Sequence, residues 1–176
     1  MDVKALFNIT YGMYIVSSNK GTALNAQVAN TVFQITNEPV TIAVSINKQN
    51  LMHEFIMTSA QFGVSVLSDE TPLEFIGKFG FRSGKVTNKF ANINYKILDS
   101  GCPVVLDNTV SYFEAKVSDS FNCGTHTVFL GKVTDAVILK QGNVMTYAYY
   151  HEVKRGKTPE SAPTYIKEKK PDGAKI

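Results

Sequence analysis

The chain has 176 residues, of which 44% are hydrophobic and 19% charged, with a formal net charge of +3. A hydrophobic fraction near the globular norm excludes a disordered chain and allows one domain-sized core. The net charge is too small to argue for nucleic acid, the more so because Lys and Arg crowd into the stretch after Val153, and a charged fraction below the roughly 25% of ordinary domains points to a face buried between subunits.

Residues 1–7 predict a short helical lead-in, followed by a strand over Ile9 to Ser18 with Tyr11, Met13 and Ile15 on one face. Asn19-Lys20-Gly21 is a turn signal. Thr22 to Thr36 becomes strand-like from Ala26 on and is broken by Asn37-Glu38-Pro39. Val40 to Ile46 alternates as a strand. Asn50 to Thr58 spaces Leu51, Met52, Phe55 and Ile56 as a helix does, and Gln61 to Leu67 is again a strand. Ser68-Asp69-Glu70 offers N-caps for a second helix with Pro72 in its first turn and Leu73, Ile76 and Phe79 on one stripe. Gly80 to Phe90 is a Gly- and Lys-rich loop. Tyr95 to Leu98 predicts a short strand, Ser100 to Pro103 a turn, and Ser111 to Ser118 a strand. His126 to Leu139 predicts the longest strand, apolar on both faces, and Asn143 to Tyr150 the last one. Strands outnumber helices and no βαβ alternation appears, which argues for an antiparallel barrel or sandwich with helices at its rim.

Two cysteines, Cys102 and Cys123, with no C-x-x-C pair exclude a disulfide-rich scaffold and a cysteine-ribbon metal site. The first residues lack the run and cleavage pattern of a signal peptide, and no stretch reaches the length of a membrane span, so a reducing, cytoplasmic setting and no membrane partner are expected. Gly80-Phe81-Arg82-Ser83-Gly84-Lys85 is one residue short of a P-loop, and Val86 stands where a magnesium-binding hydroxyl is needed. No G-x-G-x-x-G follows a strand. His53, His126 and His151 lie far apart, so no metal site is expected. Cys123 and His126, three residues apart near one strand, are expected on opposite faces, with Cys123 a buried structural thiol.

Three segments in this order and spacing resemble the flavin reductase-like family: Gly21 to Pro39, with its Asn25-Ala26; Val44 to Ile56, which runs from a strand through Asn47-Lys48-Gln49-Asn50 into a helix carrying His53; and Gly124-Thr125-His126 leading into an apolar run, Gly131 and Val133. In the last of these Thr125 stands where the family usually has Asp. Tyr147 to Pro159 is similar to the flavin reductase domain of high-molecular-weight rubredoxins, but Lys167 to Lys170 brings no cysteines, so the resemblance implies a reductase unit without its own iron module.

The resemblance implies a mainly β fold, an antiparallel Greek-key split β-barrel with short peripheral helices, over residues 1–156, with a basic C-terminal arm or linker over 157–176. It implies bound FMN, NADH or NADPH as electron donor, and a homodimer with the site at its interface. FMN needs a cation and amide donors for its phosphate. Asn47, Lys48 and Asn50 at a helix start supply these, beside Ser45 and His53. Asn25, Ala26, Asn30 and Thr31 resemble the strand lining the flavin edge, and Phe79 and Gly80 the helix end that closes over it. His126 is expected at the open face of the ring, as the catalytic contact for the nicotinamide rather than as a base, since hydride transfer needs alignment more than proton abstraction. The expected activity is hydride transfer from NAD(P)H to FMN, with electrons passed on to free flavin, a ferric complex, rubredoxin or a flavodiiron protein. A non-enzymatic FMN-binding electron carrier is the alternative; a relative without flavin, or with haem, is a third.

Overall fold

The computed structural model describes residues 1–165. The expected basic arm therefore lies outside the described residues from position 166 on.

After a 3₁₀ turn over Val3–Asn8 come β1 (Tyr14–Lys20), β2 (Ala23–Ala29), β3 (Val32–Asn37) and β4 (Val40–Asn47). They are followed by α1 (Leu51–Ser59), β5 (Gln61–Leu67) and α2 (Leu73–Gly80). A two-stranded ribbon of β6 (Tyr95–Ile97) and β7 (Pro103–Val105) precedes the long hairpin of β8 (Thr109–Cys123) and β9 (His126–Ile138), and α3 (Tyr147–Glu152) follows.

Seven strands form one antiparallel sheet in the order β2-β1-β5-β8-β9-β4-β3. The two outermost strands, β2 and β3, are neighbours in sequence, joined through Asn30 and Thr31. A two-residue link cannot cross a flat seven-stranded sheet, because strands are spaced about 4.8 Å apart. The sheet must curl until its edges meet, which closes the barrel with its seam at Asn30–Thr31. The expected antiparallel split barrel is thus the fold.

Alternation along β1 divides the core. Val16 points into the barrel, among Val44, Ile46, Phe62, Val64, Ala115 and Phe129. Met13 and Ile15 point outward, where Ile76 and Phe79 of α2 and Tyr150 of α3 cover them. Helix α1 packs Met52, Phe55 and Ile56 on the barrel cluster and stops at Ala60, whose φ of 56° turns the chain into β5.

Four expectations about elements are corrected. Thr22 to Thr36 forms two strands, because the chain leaves one sheet edge for the other at Asn30. Pro103 opens β7 instead of closing a turn, as the first residue of a strand allows. The hairpin arm β8 is longer than β9 and runs through the polar Ser118-Asp119-Ser120, with register shifts at Glu114/Ala115 and Val117/Asp119 that let it bend. Asn143 to Tyr150 is no strand: it makes isolated bridges from Val144 to Ser68 and from Thr146 to Gly12, then enters α3. There Thr146 Oγ1 accepts from the Tyr149 amide at 3.1 Å, and this cap outweighs the β preference of the tyrosines.

Candidate functional site

Between the seam, the start of α1 and the loop after α2 lies a cavity of about 610 Å³. The strands contribute amides and a hydroxyl. Asn25 of β2, Asn30 of the seam, and Ser45 and Asn47 of β4 line it, with Asn50 at the start of α1. Phe79 and Gly80 at the end of α2 form part of its wall, and His126 at the start of β9 lies on its rim. These expected residues, far apart in sequence, are brought together.

Others are not. Ala26 follows Asn25 on the strand and so faces the opposite way, fully buried against α2 and α3. Thr31 lines a second groove across the seam and donates to Asn30 Oδ1 at 3.0 Å. Lys48 reaches the hairpin tip, where its ammonium donates to Asn122 Oδ1. His53 turns toward β9, its Nε2 bonded to Thr127 Oγ1 at 2.8 Å and its ring 5.5 Å from that of Phe129. Burial first, and the nearby Lys48 charge second, lower its pKa.

The loop after α2 brings cations to the same cavity that Asn47 and Asn50 of the strand-to-helix turn line. Phe81, Arg82, Ser83, Gly84, Lys85 and Lys89 all line the cavity. Lys89 is only 6% exposed and donates to the Phe79 carbonyl at 3.0 Å; burial pushes its pKa down to about 8. A buried ammonium on a single carbonyl is poorly satisfied and favours an anion beside it. Among the described residues the one ion pair is Lys20–Glu54 on the surface, so the cavity's cations have no carboxylate partner there. The same loop presses on β2: a Cβ at Gly84 would come within 2.3 Å of Asn25 Oδ1. That oxygen is itself buried without a hydrogen-bond partner among the described residues. An orphaned buried acceptor marks a place where a ligand donor belongs. Amides and cations around one cavity suit a flat hydrogen-bonding ring that carries a phosphate.

The remaining wall is the segment after α3. Pro159, Glu160, Ser161, Ala162 and Pro163 all line the cavity. The Ser161 carbonyl accepts from Asn47 Nδ2 and from His126 Nε2, each at 3.2 Å. Nothing in this Pro-containing stretch carries a chemical motif, and only its return to the cavity reveals it.

Cys123 and His126 correct a further expectation. The β8–β9 hairpin turns at Gly124, φ 73°, and Thr125, so Cys123 and His126 are cross-strand partners on one face. Cys123 is exposed, and the buried free thiol is Cys102, which burial pushes up to about 12. Among the described residues no group of three or more His, Cys, Asp or Glu is arranged to hold a metal ion, and no helix is long and apolar enough to cross a membrane.

Comparison with known proteins bears on the family and the fold. Residues 6–157 match the model of the flavin reductase like domain. The chain is 58% identical over 165 residues to a high molecular weight rubredoxin of Moorella thermoacetica, which covers 94% of this chain and 72% of that one. It is 48% identical over 169 residues to a ferric-chelate reductase (NAD(P)H) of Archaeoglobus fulgidus, covering 96% of this chain and all of that one. Among solved structures, the NADH:FAD oxidoreductase SgcE6 of Streptomyces globisporus superposes with a TM-score of 0.73 at 20% identity, over 82% of this chain and 86% of that one. The shared fold and the family match over nearly the whole described chain place it: the chain belongs to the flavin reductase-like family and is an enzyme of the flavin reductase type.

Proposed function

We propose that the cavity binds FMN and that the enzyme reduces it with NADH or NADPH. The observation that carries this reading is the loop Phe81–Lys89, which brings Arg82, Lys85 and the buried Lys89 to the same cavity as the amides of Asn25, Asn30 and Asn47. Bound FMN supplies the redox chemistry, accepting a hydride from a nicotinamide and releasing electrons to an acceptor. The protein's residues hold and orient. Arg82, Lys85 and Lys89 neutralise the phosphate, and the Asn25 oxygen meets a ring N–H. Apolar lining from Met52, Ile76 and Phe79 keeps water off the ring, and His126 orients the nicotinamide. FMN is preferred over FAD here because the cationic loop suits one terminal phosphate.

The acceptor is a small ferric complex or free flavin, or a redox protein such as rubredoxin or a flavodiiron protein. The name of the Archaeoglobus relative supports the first and that of the Moorella relative the second. The enzyme works as a cytoplasmic homodimer whose flavin-binding unit extends past the expected boundary at 156, since Pro159 to Pro163 wall the cavity, and the basic arm follows it.

The test is a visible spectrum of the protein loaded with FMN, followed by anaerobic NADH and then NADPH. Flavin bands that bleach within seconds support the reductase and name its donor. Bands that persist with both nucleotides overturn it in favour of an electron carrier reduced by a protein partner. Failure to take up FMN overturns the cofactor.

A further inference from the structure

The segment after α3 is tied down at both ends. At its near end Tyr150 Oη donates to the Lys157 carbonyl at 2.9 Å and accepts from the Lys157 amide at 3.1 Å. At its far end Thr164 Oγ1 accepts from Asn30 Nδ2 at 2.9 Å and donates to Tyr147 Oη at 3.0 Å. Tyr147 Oη lies 2.6 Å from Thr158 Oγ1, which lies 3.2 Å from His151 Nε2, and His151 Nδ1 lies 2.9 Å from the Gly156 carbonyl. An amide nitrogen only donates and a carbonyl only accepts, so the whole chain has one direction. It runs from Asn30 through Thr164, Tyr147, Thr158 and His151 to Gly156. Pro159 and Pro163 stiffen the span between. The cavity keeps about 610 Å³ with this strap in place, within the range of small-molecule sites, so the strap is a wall and not a plug.

What the strap holds is His126. The Ser161 carbonyl can only accept, so His126 Nε2 carries the proton at that 3.2 Å contact. In a neutral imidazole the other nitrogen is then an acceptor, and the Thr125 hydroxyl, 2.9 Å from Nδ1, donates to it. An aspartate at position 125 could only accept from Nδ1–H and would select the opposite tautomer. Threonine and strap are therefore matched to each other.

We infer that Thr125 and the strap residues Ser161 and Thr164 are positioning residues, which clamp His126 as the neutral Nε2–H tautomer and fix its ring at the rim of the cavity. This rests on the proposed flavin reductase reading for its catalytic consequence, though not for the clamp itself.

The clamp is tested first without ligand, by long-range ¹H–¹⁵N spectra of the whole protein. Wild type and T125S show the Nε2–H pattern at His126, whereas T125V and T164V lose the single pattern. With FMN and NADH, T125V and T164V each slow flavin bleaching about tenfold, the scale on which small misplacements act. In T125V FMN affinity stays unchanged, and T125S restores the rate. The T125V/T164V double variant is no slower than the slower single one, because both act through one ring. An Nδ1–H pattern in wild type, unchanged bleaching, or multiplying effects overturns the inference. Should T164V fail to fold, the contrast of T125V with T125S decides alone. Should wild type take up no FMN, the proposed function fails while the tautomer still decides the clamp.

Discussion

Lys89 is the residue whose titration the site makes visible. Its pKa is lowered to about 8 by burial, and a phosphate beside it favours the charged form. The proposed FMN therefore binds the protonated lysine. Affinity is flat below about pH 8 and weakens as the pH rises past it, by up to a factor of ten per pH unit. Fluorescence titration of FMN between pH 6.5 and 9.5 checks this. K89M weakens binding at neutral pH and flattens the profile, while K48E changes affinity little, because Lys48 points to Asn122. A larger loss in K48E than in K89M would return the phosphate to the strand-to-helix turn. Asn25, Asn30, Ser45 and Asn47 are legible through the segments that resemble the flavin reductase-like family and not through periodicity, since Val44 and Ile46 take the barrel-facing positions of β4. Arg82, Lys85 and Lys89 are not legible through the P-loop pattern, which their loop fails. The available signal was plainer: three cations with no acidic residue between Gly80 and Phe90, directly after an apolar helix.

Among the elements, β9 packs closely on β8 and β5 at Gly131. A Cβ at Gly131 would come within 2.7 Å of Ala115 Cβ and 2.8 Å of the Phe62 ring. Both neighbours are fully buried. G131A should destabilise the barrel by about 1–3 kcal/mol, the usual cost of overfilling a packed core. Urea unfolding measures it, and an unchanged midpoint would mean the barrel yields at this point. β4, β5, α1 and α2 are legible in the sequence, since their apolar spacing suits one structure only, whereas the strand expected from Ile9 to Ser18 begins at Tyr14 and runs on to Lys20. The failures fell where a local pattern was outvoted. Tyr147 and Tyr150 favour a strand by type, yet their i, i+3 spacing behind a Thr146 cap makes a helix. Residues 157–165 read as a linker because Pro, Lys and Glu form no core, yet a strap lying on a surface has no use for sheet pairing.

At the scale of the molecule, an apolar groove of about 530 Å³ runs along the far side of the seam, lined by Ile9, Tyr11, Val32, Phe33 and Val144. Phe33 is 53% exposed and Ile9 50%, and Ile35 and Val40 beside them are also exposed. Such a patch is where a second copy of the chain is proposed to sit. F33E should shift the protein from dimer to monomer in sedimentation experiments at micromolar concentration. A variant that sediments as wild type would move the interface elsewhere. Asn30 lines both this groove and the flavin cavity, since the seam is the thin partition between them. A partition shared in this way ties two equilibria together: whatever seats a neighbour on one side also settles the amide on the other. For the proposed dimer and the proposed FMN, reciprocity then predicts that dilution loosens the cofactor and that added cofactor holds the subunits together, so the yellow colour retained on a sizing column becomes a gauge of assembly.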